Sequence, residues 1–161
     1  MLKGDLFIRM SKLYVLVGVP ASGKSTYAQE ILARDAVVLS SDVIRAELLK
    51  DEARQDRNSQ VFAVLYSRAR KLLMNGQNVV IDATSINRFE RKRILSNFED
   101  LLLEKVAVYF DTPIELCYAR DKSRSRNVGN DVINYYFNKL EVPELGEGFD
   151  RVEIVTAKEN Y

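Results

Sequence analysis

Apolar residues along this chain gather in five short blocks, Leu13–Val17, Ala36–Leu39, Val79–Ile81, Val106–Phe110 and Val152–Val155. The first four, rich in Val, Ile, Leu or aromatics, predict strands buried on both faces, and Val152–Val155 closes the chain as a fifth. Between them the apolar positions recur at helical spacing: in Thr26–Ala33, in Ser59–Met74 through Val61, Leu65, Leu72 and Leu73, and in Arg88–Leu103 through Phe89, Ile94, Leu95 and Phe98. Another apolar helix begins near Pro113. Strand and helix in alternation predict an α/β protein of three layers, α/β/α, with a mostly parallel five-stranded sheet.

At 161 residues and 47% hydrophobic content, the chain has the size of one compact domain spanning residues 1–161. Residues 1–11 are expected to form a loose N-terminal extension. The most polar internal stretches, Lys50–Asn58 and Arg120–Asp131, interrupt helical patterns and are the expected mobile, substrate-facing parts. Lys and Arg total 24 against 23 Asp and Glu, a formal charge of +1, so any basic surface is local.

The chain has no histidine, which removes Ser-His-Asp triads, His-ligated zinc and imidazole acid/base chemistry together. Any general base is therefore expected to be a carboxylate. Cys117 stands alone and reads as a packing residue of a reducing compartment. With no apolar run near membrane-spanning length and charges within the first twelve residues, the expected location is cytoplasmic.

The strongest chemical signal is Gly18-Val-Pro-Ala-Ser-Gly23-Lys24-Ser25, which fits G-x-x-x-x-G-K-[ST] between a strand block and a helix block. Average residue usage yields this pattern by chance in roughly half a percent of chains of this length. It predicts a P-loop NTPase fold. Glycine-permitted turns let the backbone N–H groups around Gly18, Ala21, Ser22 and Gly23 converge on anionic oxygens, followed by the positive end of a helix. Lys24 adds a charge for the β- and γ-phosphates, Ser25 a hydroxyl for Mg²⁺, and Thr26 further support at the helix start. ATP or another NTP and Mg²⁺ are the expected cofactors.

The acceptor must be read from residues beyond the other strands. Ser41-Asp42-Val-Ile-Arg45 follows the second block and sets Asp42 and Arg45 one helical turn apart. Asp42 is a candidate general base; the same Ser-Asp pair also reads as a helix N-cap. Val79-Val-Ile-Asp82-Ala-Thr84 resembles a Walker B strand whose carboxylate orders Mg²⁺ or its waters, with an N-cap again the alternative. Thr84 lies at that strand end, and Asn87 at a turn beyond it. The basic run Arg88, Arg91, Lys92 and Arg93 can meet acceptor phosphates or form a solvated helix face. In residues 120–131, Arg120, Arg124 and Arg126 are too closely spaced for i,i+4 pairing and read as an arginine-rich lid over the transferring phosphate. Tyr135, Tyr136 and Phe137 follow it, available for base stacking or for core packing.

These residues resemble the polynucleotide 5′-kinase domains of bacteriophage and bacterial RNA-repair enzymes, within the wider P-loop kinase group. The resemblance runs from Leu13 to Val155. It rests on Gly18–Ser25, Ser41-Asp42-x-x-Arg45, Val80-Ile81-Asp82-Ala83-Thr84, Arg120-x-x-x-Arg124-x-Arg126 before Val132-Ile133, and Glu147-Gly-Phe149. It implies that Asp42 is the base toward a 5′-hydroxyl of RNA or DNA and that Arg45 contacts phosphate near the acceptor end; Thr84 and Arg88, by their place after the third block, are further candidates for binding the acceptor. It also implies that Arg120, Arg124 and Arg126 hold donor phosphates, although the lid is one residue shorter than the bacterial pattern between the last two. Ligase and phosphatase activities that cooperate with the kinase are expected on separate proteins. Two other readings keep the same motif: a kinase for a small-molecule hydroxyl (nucleoside, sugar, antibiotic or nucleotide sugar), and a non-catalytic nucleotide-binding regulator.

Overall fold

The structure, a computed structural model, describes residues 10–48 and 58–157. The expected extension falls mostly outside them, as does most of the polar stretch at 50–58. Its inner boundary moves by one residue, because Ser11 is already the first residue of a strand, buried, with its Oγ donating to Leu73 O at 3.2 Å.

Five strands form one sheet in the order β2-β3-β1-β4-β5: β1 (Ser11–Val17), β2 (Ala36–Ser40), β3 (Asn78–Asp82), β4 (Leu103–Asp111) and β5 (Arg151–Thr156). All four pairings are parallel, with Leu13 opposite Val79 and Lys105, and Ser40 opposite Asp82. Each predicted block lies inside one strand. The period-two geometry sends Leu13, Val15 and Val17 into the larger core with Ile44, Val61, Leu65, Ile94 and Phe98, and Tyr14 and Leu16 into the opposite one with Ala28, Val108 and Phe110.

The first face is covered by α2 (Ser41–Leu48), α3 (Asn58–Met74) and α4 (Arg88–Ser96). The other carries α1 (Lys24–Glu30). A third cluster, Val19, Ala21, Cys117 and Ile133, fastens α5 (Ile114–Lys122) and α6 (Asn130–Lys139) against the loop after β1. Cys117 is fully buried there, the packing role its isolation suggested.

Two predicted helices are too long. α1 ends at Glu30 and gives way to a 3₁₀ turn at Leu32–Arg34. α4 ends at Ser96, not Leu103: Asn97 caps it, Phe98 is buried in the turn that follows, and Leu103 starts β4. Helical spacing of apolar residues cannot separate a last turn from a buried hairpin of the chain.

Winding reverses at β1, which lies between β3 and β4, so the loop after β1 opens into the crevice where open α/β sheets place ligands. A groove of about 400 Å³ between Arg34, Val37, Gly76 and Asn78 lies at the opposite end of the sheet.

Candidate active site

The turn that follows β1 is built on close approach. A Cβ on Gly18 would stand 2.7 Å from Ser22 Oγ and 3.2 Å from Phe110 Cβ, so the loop folds this tightly only with glycine there. Ala21 and Gly23 both take the left-handed conformation, with φ of 63° and 99°. Left-handed backbone at a non-glycine residue is uncommon and is held here by the packing of Ala21 against Cys117 and Ile133. Gly18 N–H donates to Thr84 O at 3.3 Å, tying the loop to the end of β3.

Lys24 is buried along its length and crosses the mouth of the loop, its Nζ donating to Gly18 O and Val19 O, each at 2.9 Å. Two of its three N–H bonds are thereby used. Burial lowers its pKa from 10.5 to about 8, against the opposing pull of Asp82 and Asp42. Ser25 Oγ donates to Asp82 Oδ2 at 2.9 Å. Burial raises the Asp82 pKa, while the bond from Ser25 and the charge of Lys24 pull it back. Asp82 is therefore not the cap of α4, since Asn87 holds that place and accepts Glu90 N–H at 2.8 Å.

A hydroxyl and a carboxylate at hydrogen-bonding distance form an oxygen donor set that suits Mg²⁺, which favours few protein ligands and completes its shell with water and phosphate. Among the described residues no larger group of acidic or thiol side chains gathers, so a metal here would rest on Ser25 with Asp82 behind it. Ser22 Oγ is buried with no partner, a hydroxyl available to an anionic ligand in the loop. Thr26 is exposed on the first turn of α1.

Asp42 does not cap α2. Ser40 Oγ accepts Val43 N–H at 3.3 Å, which frees the Asp42 carboxylate to pair with Arg45 Nη1 at 2.9 Å. Arg45 Nη2 donates in turn to Asn58 Oδ1 at 2.9 Å and fixes the guanidinium between α2 and α3. The Asp42 side chain is 90% exposed, yet its charge reaches both Lys24 and Asp82. It thus stands on the rim of the cradle, on the β2 side.

On the β4 side, Arg120 lies inside α5 rather than in a loop, and its Nη1 donates to Ser22 O at 3.1 Å. That guanidinium sits 3.1 Å from where a Cβ on Gly23 would be. Arg124 is exposed, and its charge lowers the Lys24 pKa further. Arg126 is exposed and shows no contact with the cradle. The lid of residues 120–131 thus divides into the end of α5, a loop at 123–129, and the start of α6.

Two residues that sequence reasoning missed, and one that it misplaced, hold this arrangement. Thr112 Oγ1 donates to Ser22 O at 2.9 Å. The buried carboxylate of Asp121 accepts Val128 N–H and Gly129 N–H at 3.0 and 2.9 Å, closing the arginine-bearing loop on itself; these two donors hold its pKa below the usual carboxylate range. Acidic residues inside a basic run are easily read as charge balance, and nothing in the spacing reveals that this one turns inward.

The third is Arg91. Read in sequence as either a contact for acceptor phosphates or part of a solvated helix face, it is neither: it is fully buried, with Nε and Nη2 donating to Glu147 at 2.8 and 3.2 Å and Nη1 to Ser85 O at 3.0 Å. That reading is corrected: Arg91 is structural, and Glu147 is its counter-ion. Arg88 is half-exposed, pairs with Glu144 at 2.9 Å, and gives its backbone N–H to Glu141 at 2.7 Å. Thr84 presents its carbonyl to Gly18 as described, and its side chain is half-buried.

The protein family described as an AAA domain matches residues 13–143, from β1 past the end of α6. The chain belongs to that family. Its fold is that of the P-loop kinases. It is 23% identical, in an alignment of 153 positions that covers 88% of its own length, to L-seryl-tRNA(Sec) kinase of Methanococcus maripaludis, and it spans only 57% of that relative. The Pnkp1/Rnl/Hen1 RNA repair complex contains a similar structure, with a TM-score of 0.73 and 24% identity over 87% of this chain and 47% of the other. Mycobacterium tuberculosis APS kinase, solved with AMPPNP and APS, gives a TM-score of 0.64 and 21% identity over 94% of this chain and 91% of that one. Likeness at these identities establishes the fold that the AAA domain shares with them. Among its described residues, no helix is long and apolar enough to cross a membrane.

Proposed function

We propose that this protein transfers the γ-phosphate of ATP, or of another NTP, to the 5′-hydroxyl end of RNA or DNA. The observation that carries the proposal is the placement of an Asp42–Arg45 pair on one rim of the phosphate loop and of Arg120 and Arg124 on the other. The likeness to an L-seryl-tRNA(Sec) kinase and to a structure in an RNA repair complex supports a substrate that contains RNA.

In this reading Asp42 orients the attacking hydroxyl and takes its proton, and Arg45 neutralises the neighbouring phosphate of the strand. Lys24, Arg120 and Arg124 balance the charge that spreads over the transferring group. Because that transition state is loose, the positioned cations lower the barrier more than the basicity of Asp42 does. Ser25, with Asp82 behind it, would hold Mg²⁺, which when bound would add further charge neutralisation at the triphosphate.

A small-molecule acceptor is the second reading, favoured by one fact: this chain and the APS kinase cover almost the whole of each other, whereas this chain spans only 57% and 47% of the two RNA-directed relatives. A transfer assay from labelled ATP to a 5′-hydroxyl oligonucleotide, run beside nucleosides and sugars at two salt concentrations, decides between them. An oligonucleotide acceptor gives a KM that rises with salt; labelling of a nucleoside or sugar alone overturns the proposal.

Lys24 also gives nucleotide binding a pH signature. The unfolded chain keeps this proton up to about pH 10.5, whereas the folded protein sheds it near 8, so the free protein gains stability as pH rises through that window. Bound phosphates favour the charged amine and draw the proton back. Calorimetry at pH 9 in buffers of different ionisation enthalpy is expected to show uptake of about one proton per nucleotide, falling toward zero at pH 7. Lys24→Arg is expected to abolish the uptake.

A further inference from the structure

We propose that the outer face of α4 is a binding track for the acceptor strand, with Phe89 as a base-stacking platform and Lys92 and Arg93 as phosphate contacts. The inference rests on the polynucleotide reading above and adds where the strand runs after it leaves the site.

The helix carries both of its non-conforming charges inward. Glu90, the single acid of α4, turns back to accept Ile86 N–H at 3.2 Å, and Arg91 is taken into the core by Glu147. What remains outside is Arg88, Phe89, Lys92, Arg93 and Ser96, a contiguous face at i, i+1, i+4, i+5 and i+8. Arg88 is pinned by Glu144, while Lys92 and Arg93 have no acidic partner among the described residues.

Phe89 is the anomaly on this face. It is 70% exposed, in a helix whose other large apolar side chains, Ile94 and Leu95, are buried. The Arg93 guanidinium lies 6.0 Å from its ring centre, so a π-surface is offered to solvent beside cations rather than covered by the fold. Leu102 and Ile154 are comparably exposed, but neither stands in a cluster of unpaired cations. An aromatic ring flanked by unpaired positive charge matches a single-stranded nucleic acid, which brings a base for the ring and a phosphate for each cation.

Position gives the track its direction. α4 starts beyond the end of β3, the strand that supplies Asp82 to the cradle, and β3 lies between β2, which leads to Asp42, and β1, which leads to Lys24. A strand whose 5′ end sits between Asp42 and Lys24 meets the first turn of α4 as it exits.

The test measures transfer to 5′-hydroxyl oligonucleotides of two and of ten or more nucleotides with Phe89→Ala and with Lys92→Gln/Arg93→Gln, all at exposed positions, after checking that Tm is unchanged. For the long acceptor KM is expected to rise about tenfold in Phe89→Ala at constant kcat, with the dinucleotide unaffected. The double variant should flatten the log–log salt dependence by about 1.4, or roughly 0.7 per lost single-strand contact. Transfer to the long strand with unchanged KM in both variants overturns the track while leaving the kinase reading intact. So does a change in self-association with unchanged KM. Failure of the parent protein to label any strand overturns the polynucleotide reading, and the track falls with it.

Discussion

Asp42→Ala is expected to lower kcat for the hydroxyl acceptor by about 10²–10⁴, the range that a positioned general base contributes, while nucleotide affinity stays within about threefold of the parent. The split follows from geometry. Asp42 touches no atom of the phosphate loop: it bonds Arg45, and it reaches Lys24 and Asp82 only through its charge. Asp42→Asn keeps the shape and the bond to Arg45 but cannot take a proton, so it should fall nearly as far. Single-turnover kinetics paired with equilibrium binding of ATP separate the two effects. A loss of ATP binding as large as the loss of kcat would remove Asp42 from the role of base and make it part of the donor site. The helix itself should survive both changes, because its cap is Ser40.

The largest effect on stability is expected at Arg91. Its side chain is fully buried, and Glu147 is its only ionic partner among the described residues, so truncation to Met strands a nearly buried carboxylate without its counter-charge. Breaking a buried pair from one side costs about 3–5 kcal/mol. For a domain of this size that corresponds to a fall in Tm of roughly 6–20 °C. Urea denaturation is expected to show a lower midpoint at unchanged slope. Arg91→Met/Glu147→Met should recover much of the loss, since two apolar side chains leave no charge uncompensated. If Arg91 instead served acceptor phosphates, as its place in a basic run suggests, Arg91→Met would raise the acceptor KM at temperatures where the protein is still folded. No such rise is expected.

The contrast between these two residues shows how far the sequence could be read. Strands announced themselves because residues buried on both faces of a parallel sheet must be apolar throughout, as Leu13–Val17 and Val79–Ile81 are. The phosphate loop was legible because its chemistry dictates residue types at fixed spacing. Asp42 was identifiable as either a base or a cap, and the cap reading fell to the hydroxyl of Ser40, a neighbour whose orientation no pattern encodes. Arg88, Arg91, Lys92 and Arg93 were alike as letters. Only the tertiary position of Glu147, 56 residues away, sorts one into the core and leaves two in water. Asp121 and Thr112 escaped for the same reason, as their partners are backbone atoms brought near by the fold.

The Ser22 carbonyl oxygen takes a bond from Thr112 and another from Arg120, which occupies both of its lone pairs. One peptide unit of the phosphate loop is therefore hinged to the end of β4 and to a guanidinium on α5 at once. A turn of that unit on binding an anion would have to carry or break the bond from Arg120, nearly a hundred residues downstream. A reporter dye on α5 is therefore expected to respond to nucleotide, and an unchanged signal at saturating nucleotide would show that the two move independently.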